Sequence, residues 1–347
     1  MTDSCVCAGV DIGGANLKCF VFELYKDGGF KKLYSTVRSF ELSLGDALVK
    51  IKEDVGGVDV LGVTSTAEYS MRYFRSLGDG IKNYVDDLMQ MHVPIYWITL
   101  DGIFVRNEQA RDYYRLAAAN WVASSLYIGE KIPNCILVDV GSTTADVIPI
   151  LDGRPISMGI MDFERLSCGQ LVYTGVINTP VASILRDINV GGKSACVSSE
   201  VYSISADVHL MLGNISQKIF EGYTHNTPPS ECYTRLAHMV CADDELLRRE
   251  DIAYMAEQVY DKQVRDIAEG IEAVYKSNAA RFGISRPPVV VAGLGAGFLA
   301  EKAARKAGFS EVLHVGKMFD EWFSISLPAA SVALLAGENF LGVSDED

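Results

Sequence analysis

Residues 10–16 read Val10-Asp11-Ile12-Gly13-Gly14-Ala15-Asn16, and residues 138–144 read Val138-Asp139-Val140-Gly141-Ser142-Thr143-Thr144. Each stretch ends an apolar run, at residues 6–12 and 135–140. Each leads into a second apolar run, at residues 17–24 and 145–151. Short apolar runs separated by glycine turns read as buried strands. The chain therefore carries two copies of a strand–Asp–Gly turn–strand unit. Such a repeat predicts two related α/β lobes whose hairpins face each other across a cleft.

A glycine-rich turn at a strand end leaves backbone N–H groups unshielded, and successive N–H groups in one concavity bind anions. In the first turn Gly13, Gly14 and Asn16 are candidate phosphate contacts, with Lys18 adding positive charge. In the second they are Gly141, Ser142, Thr143 and Thr144. A third turn, Gly293-Leu294-Gly295-Ala296-Gly297, lies between a strand and a helix and offers Gly293, Gly295 and Gly297. Asp11 and Asp139 suit a hard cation such as Mg, which binds one or two carboxylates and bridges phosphate oxygens. Each turn alone is an ordinary hairpin or a local Asp cap; the three together, with matched aspartates, predict a phosphate cleft. Neither a G-x-G-x-x-G fingerprint nor a G-x-x-x-x-G-K-S/T loop is present.

Outward from these turns, residues 32–37, 58–63, 94–98 and 288–292 read as further strands. Helices are predicted over 47–51, 107–126 and 251–277, from Phe298, and from Pro328 at the end. Thr179-Pro180 has the form of a helix cap followed by proline at the first helical position. The expected division is 1–131 and 132–347, with a helical insertion near 180–280 and a last helix that packs on the first lobe or stays with the second.

The 347 residues exceed one average domain. Hydrophobic residues make up 49% and charged residues 22%, which excludes a largely disordered chain. The formal charge of −14 argues against nucleic-acid partners. No run of about 18 apolar residues crosses a membrane, and the N-terminus lacks signal-peptide character. The eight cysteines include no C-x-x-C pair and read as buried thiols of a cytoplasmic protein. Cys232, His238 and Cys241 lack a fourth partner for a metal.

The three turns resemble the phosphate loops of the actin-like ATPase superfamily, which includes acetate and sugar kinases, heat-shock chaperones and actin; the hydantoinase-A-like branch is nearest. That resemblance implies two RNase-H-like lobes around a central phosphate-binding cleft. A narrower likeness spans nearly the whole chain. Residues 9–18, Ala117-Ala118-Ala119-Asn120-Trp121, residues 139–146, Leu171-Val172-Tyr173-Thr174-Gly175, residues 205–210 with Leu212-Gly213-Asn214, and Arg235-Leu236-Ala237 with Cys241-Ala242-Asp243 are similar to the tetrahydromethanopterin-linked one-carbon-transfer proteins. Archaeal members of that family resemble the methanofuran-biosynthesis synthase.

The family implies condensation of (5-aminomethyl-furan-3-yl)methyl diphosphate with γ-glutamyltyramine, releasing diphosphate and forming an aryl ether without ATP. Lys18, Mg and the loop N–H groups would stabilise the leaving diphosphate. A carboxylate must take the phenolic proton. Glu68, after a strand, is the first candidate, with Asp146 and Asp101 behind it; Ala67 and Tyr69 depart from the family pattern around it. Asn120, Tyr173 and Arg235 are candidate substrate contacts. Asn120 equally suits a helix contact, Tyr173 a plain turn, and Arg235 a structural ion pair. Trp121 reads as core, and His209, beside Asp207, as an interior histidine. Two competitors remain open: an ATP-dependent kinase or hydantoinase-like hydrolase, and a nucleotide-dependent sensor or assembly protein. A protein partner is unassigned.

Overall fold

β1 (Ser4–Ile12) is buried on both faces, which is why its sequence is a near-continuous apolar run and not an alternation. In the computed structural model, which describes residues 3–13, 16–39, 49, 53, 57–66, 75–224, 227–283 and 286–342, β1 lies inside a six-stranded sheet. β2 (Asn16–Tyr25) and β3 (Phe30–Ser39) meander antiparallel on one side of it. β4 (Val60–Ser65) and β5 (Ile95–Ile98) run parallel on the other, and β6 (Phe104–Arg106) closes the edge. Helix α1 (Leu77–Leu88), whose N-terminus is capped by the Ser76 hydroxyl, packs its apolar stripe on one face.

The second sheet repeats this plan. β7 (Cys135–Val140) pairs antiparallel with β8 (Ala145–Leu151) and parallel with β13 (Val289–Ala292), which is parallel to β14 (Val312–His314), with the short helix α7 (Glu301–Lys306) between those two in the chain. β9 (Arg154–Pro155) and β10 (Leu171–Val172) pair with β8. The strand orders 3-2-1-4-5 and 10-8-7-13-14 follow the same path, with a hairpin on one side of a central strand and parallel strands on the other.

Two helices fill the space between the sheets. α2 (Asn120–Lys131) and α8 (Leu327–Leu341) share one core with Cys7, Phe20 and Phe22 of the first sheet and Leu137 and Ile148 of the second. α8 opens on Pro328 and packs back on the first lobe at van der Waals range. A Cβ on Gly9 would stand 2.1 Å from Ala329 O, and one on Gly62 2.3 Å from Val332 O.

The insertion holds a small hairpin, β11 (Asp187–Val190) and β12 (Lys193–Cys196), with helices α4 (Ser205–Met211) and α5 (Cys232–His238). The 34-residue α6 (Arg249–Phe282) joins it to the second sheet: its first half builds the insertion core and its second half covers β7 and β8. Gly283, at φ +62°, ends it in the left-handed conformation.

Several predicted elements differ. The helix of 107–126 begins only at Asn120. Asn107 is instead buried as a tie, accepting from Trp97 Nε1 at 2.7 Å and donating to Val85 O at 3.0 Å. Thr179 does not cap a helix; its hydroxyl accepts from Gly175 N–H at 2.9 Å. The predicted helix of 47–51 lies largely outside the described residues. Cys168, Cys196 and Cys241 are not buried, unlike the other five thiols. Among the described residues no helix is long and apolar enough to cross a membrane, and no group of three or more His, Cys, Asp or Glu has metal-binding geometry.

Candidate active site

The two hairpins close with the same hydrogen bond. Gly13 N–H donates to Asn16 O at 3.0 Å, and Gly141 N–H donates to Thr144 O at 2.9 Å. Their registers match as well. Asp11 stands opposite Lys18 across β1 and β2, and Asp139 stands opposite Asp146 across β7 and β8. Asp11 and Asp139 both open onto one cleft of about 810 Å³. Gly13, Asn16, Lys18, Gly141, Ser142, Thr143, Thr144 and Asp146 line it with them, as do Asn120 and Tyr173.

Backbone orientation explains what the second turn presents. Val176 N–H donates to Gly141 O at 3.0 Å, and Ile177 and Asn178 N–H both donate to Ser142 O at 2.9 Å. A planar trans peptide points its N–H opposite its C=O, so the Ser142 and Thr143 N–H groups face away from that segment. Gly175 permits the close approach: a Cβ there would stand 2.5 Å from Thr143 N. Asn178 adds a side-chain contact, donating to Thr143 Oγ1 at 3.3 Å, and itself lines the cleft.

Lys18 Nζ lies 3.9 Å from Asp11 Oδ2 and donates to Ile325 O at 3.4 Å. Burial pulls its ammonium down, but Asp11, Tyr223 and Asp139 together outweigh burial and hold it charged. Burial raises the Asp11 carboxyl above the usual range, against the pull of Lys18. Asp139 is pushed up to about 7, by burial first and then by Asp146.

Sequence reasoning missed Arg165. It belongs to α3 (Asp162–Ser167), lines the cleft and is 1% exposed. Its Nη2 donates to Asp146 Oδ1 at 2.5 Å and its Nη1 to Asp162 Oδ1 at 2.9 Å. Its guanidinium lies 4.6 Å from the Trp121 ring centroid, so Trp121 is core, as expected, and also a platform for this cation. Asp146 takes the place in the second hairpin that Lys18 holds in the first, and Arg165 supplies the cation that this exchange removes.

Among the described residues four carboxylates line the cleft, those of Asp11, Asp139, Asp146 and Asp162, against the two cations Lys18 and Arg165. A polyphosphate entering that excess of negative charge needs a further positive charge beside it. Among the described residues Asp11 Oδ1 is buried with no hydrogen-bond partner. An orphaned carboxylate oxygen beside a carboxyl raised to about 7 fits a divalent cation, and Asp11 and Asp139 are the residues that would hold Mg.

Other expectations are corrected. The Gly293 N–H donates to Ser324 O at 3.0 Å and the Gly295 N–H to Val140 O at 2.9 Å, so neither is offered to a ligand. Gly293, at φ +87°, lets β13 turn tightly under Asp139; a Cβ there would stand 2.4 Å from Asp139 Oδ1. Gly297 does not line the cleft either. Arg235 also lies outside the cleft lining. It donates to the buried Asp207 Oδ1 through Nη2 at 2.6 Å and Nε at 3.1 Å, the structural pairing weighed earlier. Asp101 is held by Arg115 at 2.6 Å on the surface. Burial pulls His209 down to about 3, so its imidazole stays neutral among Phe298 and Tyr260. Glu68 and Gly14 lie outside the described residues.

The family described as Hydantoinase/oxoprolinase matches residues 63–335. The chain is 31% identical to the (4-{4-[2-(gamma-L-glutamylamino)ethyl]phenoxymethyl}furan-2-yl)methanamine synthase of Methanocaldococcus jannaschii, over 94% of this chain and 96% of that one. It is 28% identical to the protein of the same name from Methanococcus vannielii, over 58% of this chain and 90% of that one. Among solved structures, nucleotide-free acetone carboxylase superposes with a TM-score of 0.51 at 13% identity, covering 96% of this chain and 70% of that one, a likeness of fold.

Proposed function

The chain belongs to the hydantoinase/oxoprolinase family, and from that premise we propose that it is a transferase of an alkyl or aryl group other than methyl. Its substrates are the furan-methyl diphosphate and γ-glutamyltyramine, and its products are the aryl ether and free diphosphate. The full-length similarity to a synthase named for that ether supports this reading. The observation that carries it is the convergence of two matched hairpins, with Lys18 and the Ser142–Thr143 N–H groups, on one cleft.

The diphosphate lies along the second turn, with Lys18 reaching it from the first. As the methylene–oxygen bond breaks, its electron pair stays on diphosphate, and these donors are aimed where that charge grows. Mg held by Asp11 and Asp139 supplies further charge neutralisation when bound. The phenol oxygen forms the new bond to the methylene carbon and gives up its proton. Glu68 is the proposed acceptor; it follows Thr66, which lines the cleft, by two residues. Asp146 Oδ1 is already engaged by Arg165 Nη2, so Asp146 stays with that cation. No nucleotide takes part, and the enzyme works in the cytoplasm.

The test is to incubate purified protein with Mg and both substrates, with and without ATP. Ether formation without ATP is expected. Strict dependence on ATP, or no ether at all, overturns the assignment.

A further inference from the structure

The mouth of the cleft is apolar where its floor is charged. Phe163 is 82% exposed, Tyr173 65% and Leu166 46%, and all three line the cleft. Large apolar side chains gathered at the rim of a polar cavity mark a surface that a ligand covers.

These side chains are presented on a braced element. In α3 residues three apart share a face, so Asp162 and Arg165 point one way and Phe163 and Leu166 another. Arg165 ties its face to Asp146 at the floor. The Glu164 carboxylate closes the first turn, accepting from the Ile160 and Met161 N–H groups at 2.7 and 3.2 Å. The chain enters α3 through Gly159, where a Cβ would stand 2.6 Å from Glu164 Cβ. Tyr173 follows β10, whose Leu171 stands opposite Asp146 in register. Both halves of the mouth are therefore referenced to one floor residue.

We infer that Phe163, Leu166 and Tyr173 form the subsite for the aryl ring of the acceptor, a para-substituted phenol. The inference rests on the transferase reading and deepens it. The anion donors Lys18, Ser142 and Thr143 are half-buried where Phe163, Leu166 and Tyr173 are exposed, so the leaving group occupies the inner end. The nucleophile must reach the methylene carbon from the side away from the leaving group, and that side is the mouth. An aromatic ring gains from apolar walls and brings no net charge to the carboxylates beneath.

The experiment measures steady-state kinetics for both substrates, and titrates the Mg-loaded full-length protein with 4-ethylphenol and with inorganic diphosphate. The variants are Phe163→Ala, Phe163→Leu and the double Phe163→Ala/Leu166→Ala. Phe163 is exposed, so its variants keep the melting temperature of the parent. Phe163→Ala is expected to raise the acceptor KM and the 4-ethylphenol Kd roughly ten- to a hundredfold. Diphosphate affinity and kcat at saturating acceptor stay unchanged, and Phe163→Leu falls between. If ether still forms and the double variant leaves the acceptor KM unaltered, the subsite is wrong while the transferase stands. If the parent makes no ether yet binds 4-ethylphenol through Phe163, the transferase reading fails and the subsite stands. Loss of diphosphate affinity in Phe163→Ala would also overturn it, by placing the residue's effect at the floor.

Discussion

Lys18 and Asp146 hold equivalent positions in two matched hairpins and carry opposite charge, and the chain answers the second with Arg165. A buried carboxylate stripped of its cation is costly. Arg165→Met should therefore lower the unfolding free energy by about 3–5 kcal/mol in urea titrations, and adding Asp146→Asn should recover part of the loss. Equal stability of the single variant and the parent would mean the pair contributes nothing. Asp139 gives a pH signature. An acid whose folded pKa is raised keeps a proton that the unfolded chain has already lost, so the folded state binds more protons between 3.8 and about 7. Stability should fall as pH rises through that window. Asp139→Asn should flatten this part of the urea-midpoint profile, and added Mg, which favours the ionised form, should do the same. An unchanged profile in Asp139→Asn would show that another group is responsible.

At the scale of elements, what was legible in the sequence was whatever depends on local pattern. The paired strands of residues 6–12 with 17–24 and of 135–140 with 145–151 announced themselves because a strand buried on both faces must be a continuous apolar run. α3 did not, since a six-residue helix carrying an exposed phenylalanine beside a buried arginine has no periodicity to detect. The turn at Gly293 and Gly295 misled for a related reason. Glycine permits close approach of backbone to ligand or of backbone to backbone, and only the tertiary structure shows that Val140 and Ser324 are the partners. Glycines that sit under α8 follow the same logic, and there the consequence is measurable. Gly9→Ala would drive a methyl into the Ala329 carbonyl of that helix. The expected cost is about 3 kcal/mol or more, read from the denaturation midpoint, because neither β1 nor α8 can retreat from a core they share with both sheets. A variant as stable as the parent would show that α8 can shift away from β1.

At the scale of the whole molecule, a duplicated plan has been made asymmetric at its centre. The repeat in strand order brings one aspartate from each sheet to a common cleft, while the insertion core and the exchange of Lys18 for Asp146 belong to particular copies. A ligand held between two lobes draws its affinity from both, and either half alone presents few contacts. Diphosphate with Mg should stabilise the folded chain by about 2.7 kcal/mol at a hundredfold excess over Kd. Lys18→Ala removes the donor proposed from the first sheet, and Asp139→Asn removes the Mg ligand proposed from the second. Each should weaken diphosphate by roughly ten- to a hundredfold, the loss of one charge-assisted contact. The double variant should lose less than the sum, because both act on one bound anion. Thermal unfolding with and without Mg-diphosphate reads all four proteins. Strictly additive losses would put the two residues in separate sites, and an unaltered shift in Lys18→Ala would mean that the anion does not bridge the hairpins.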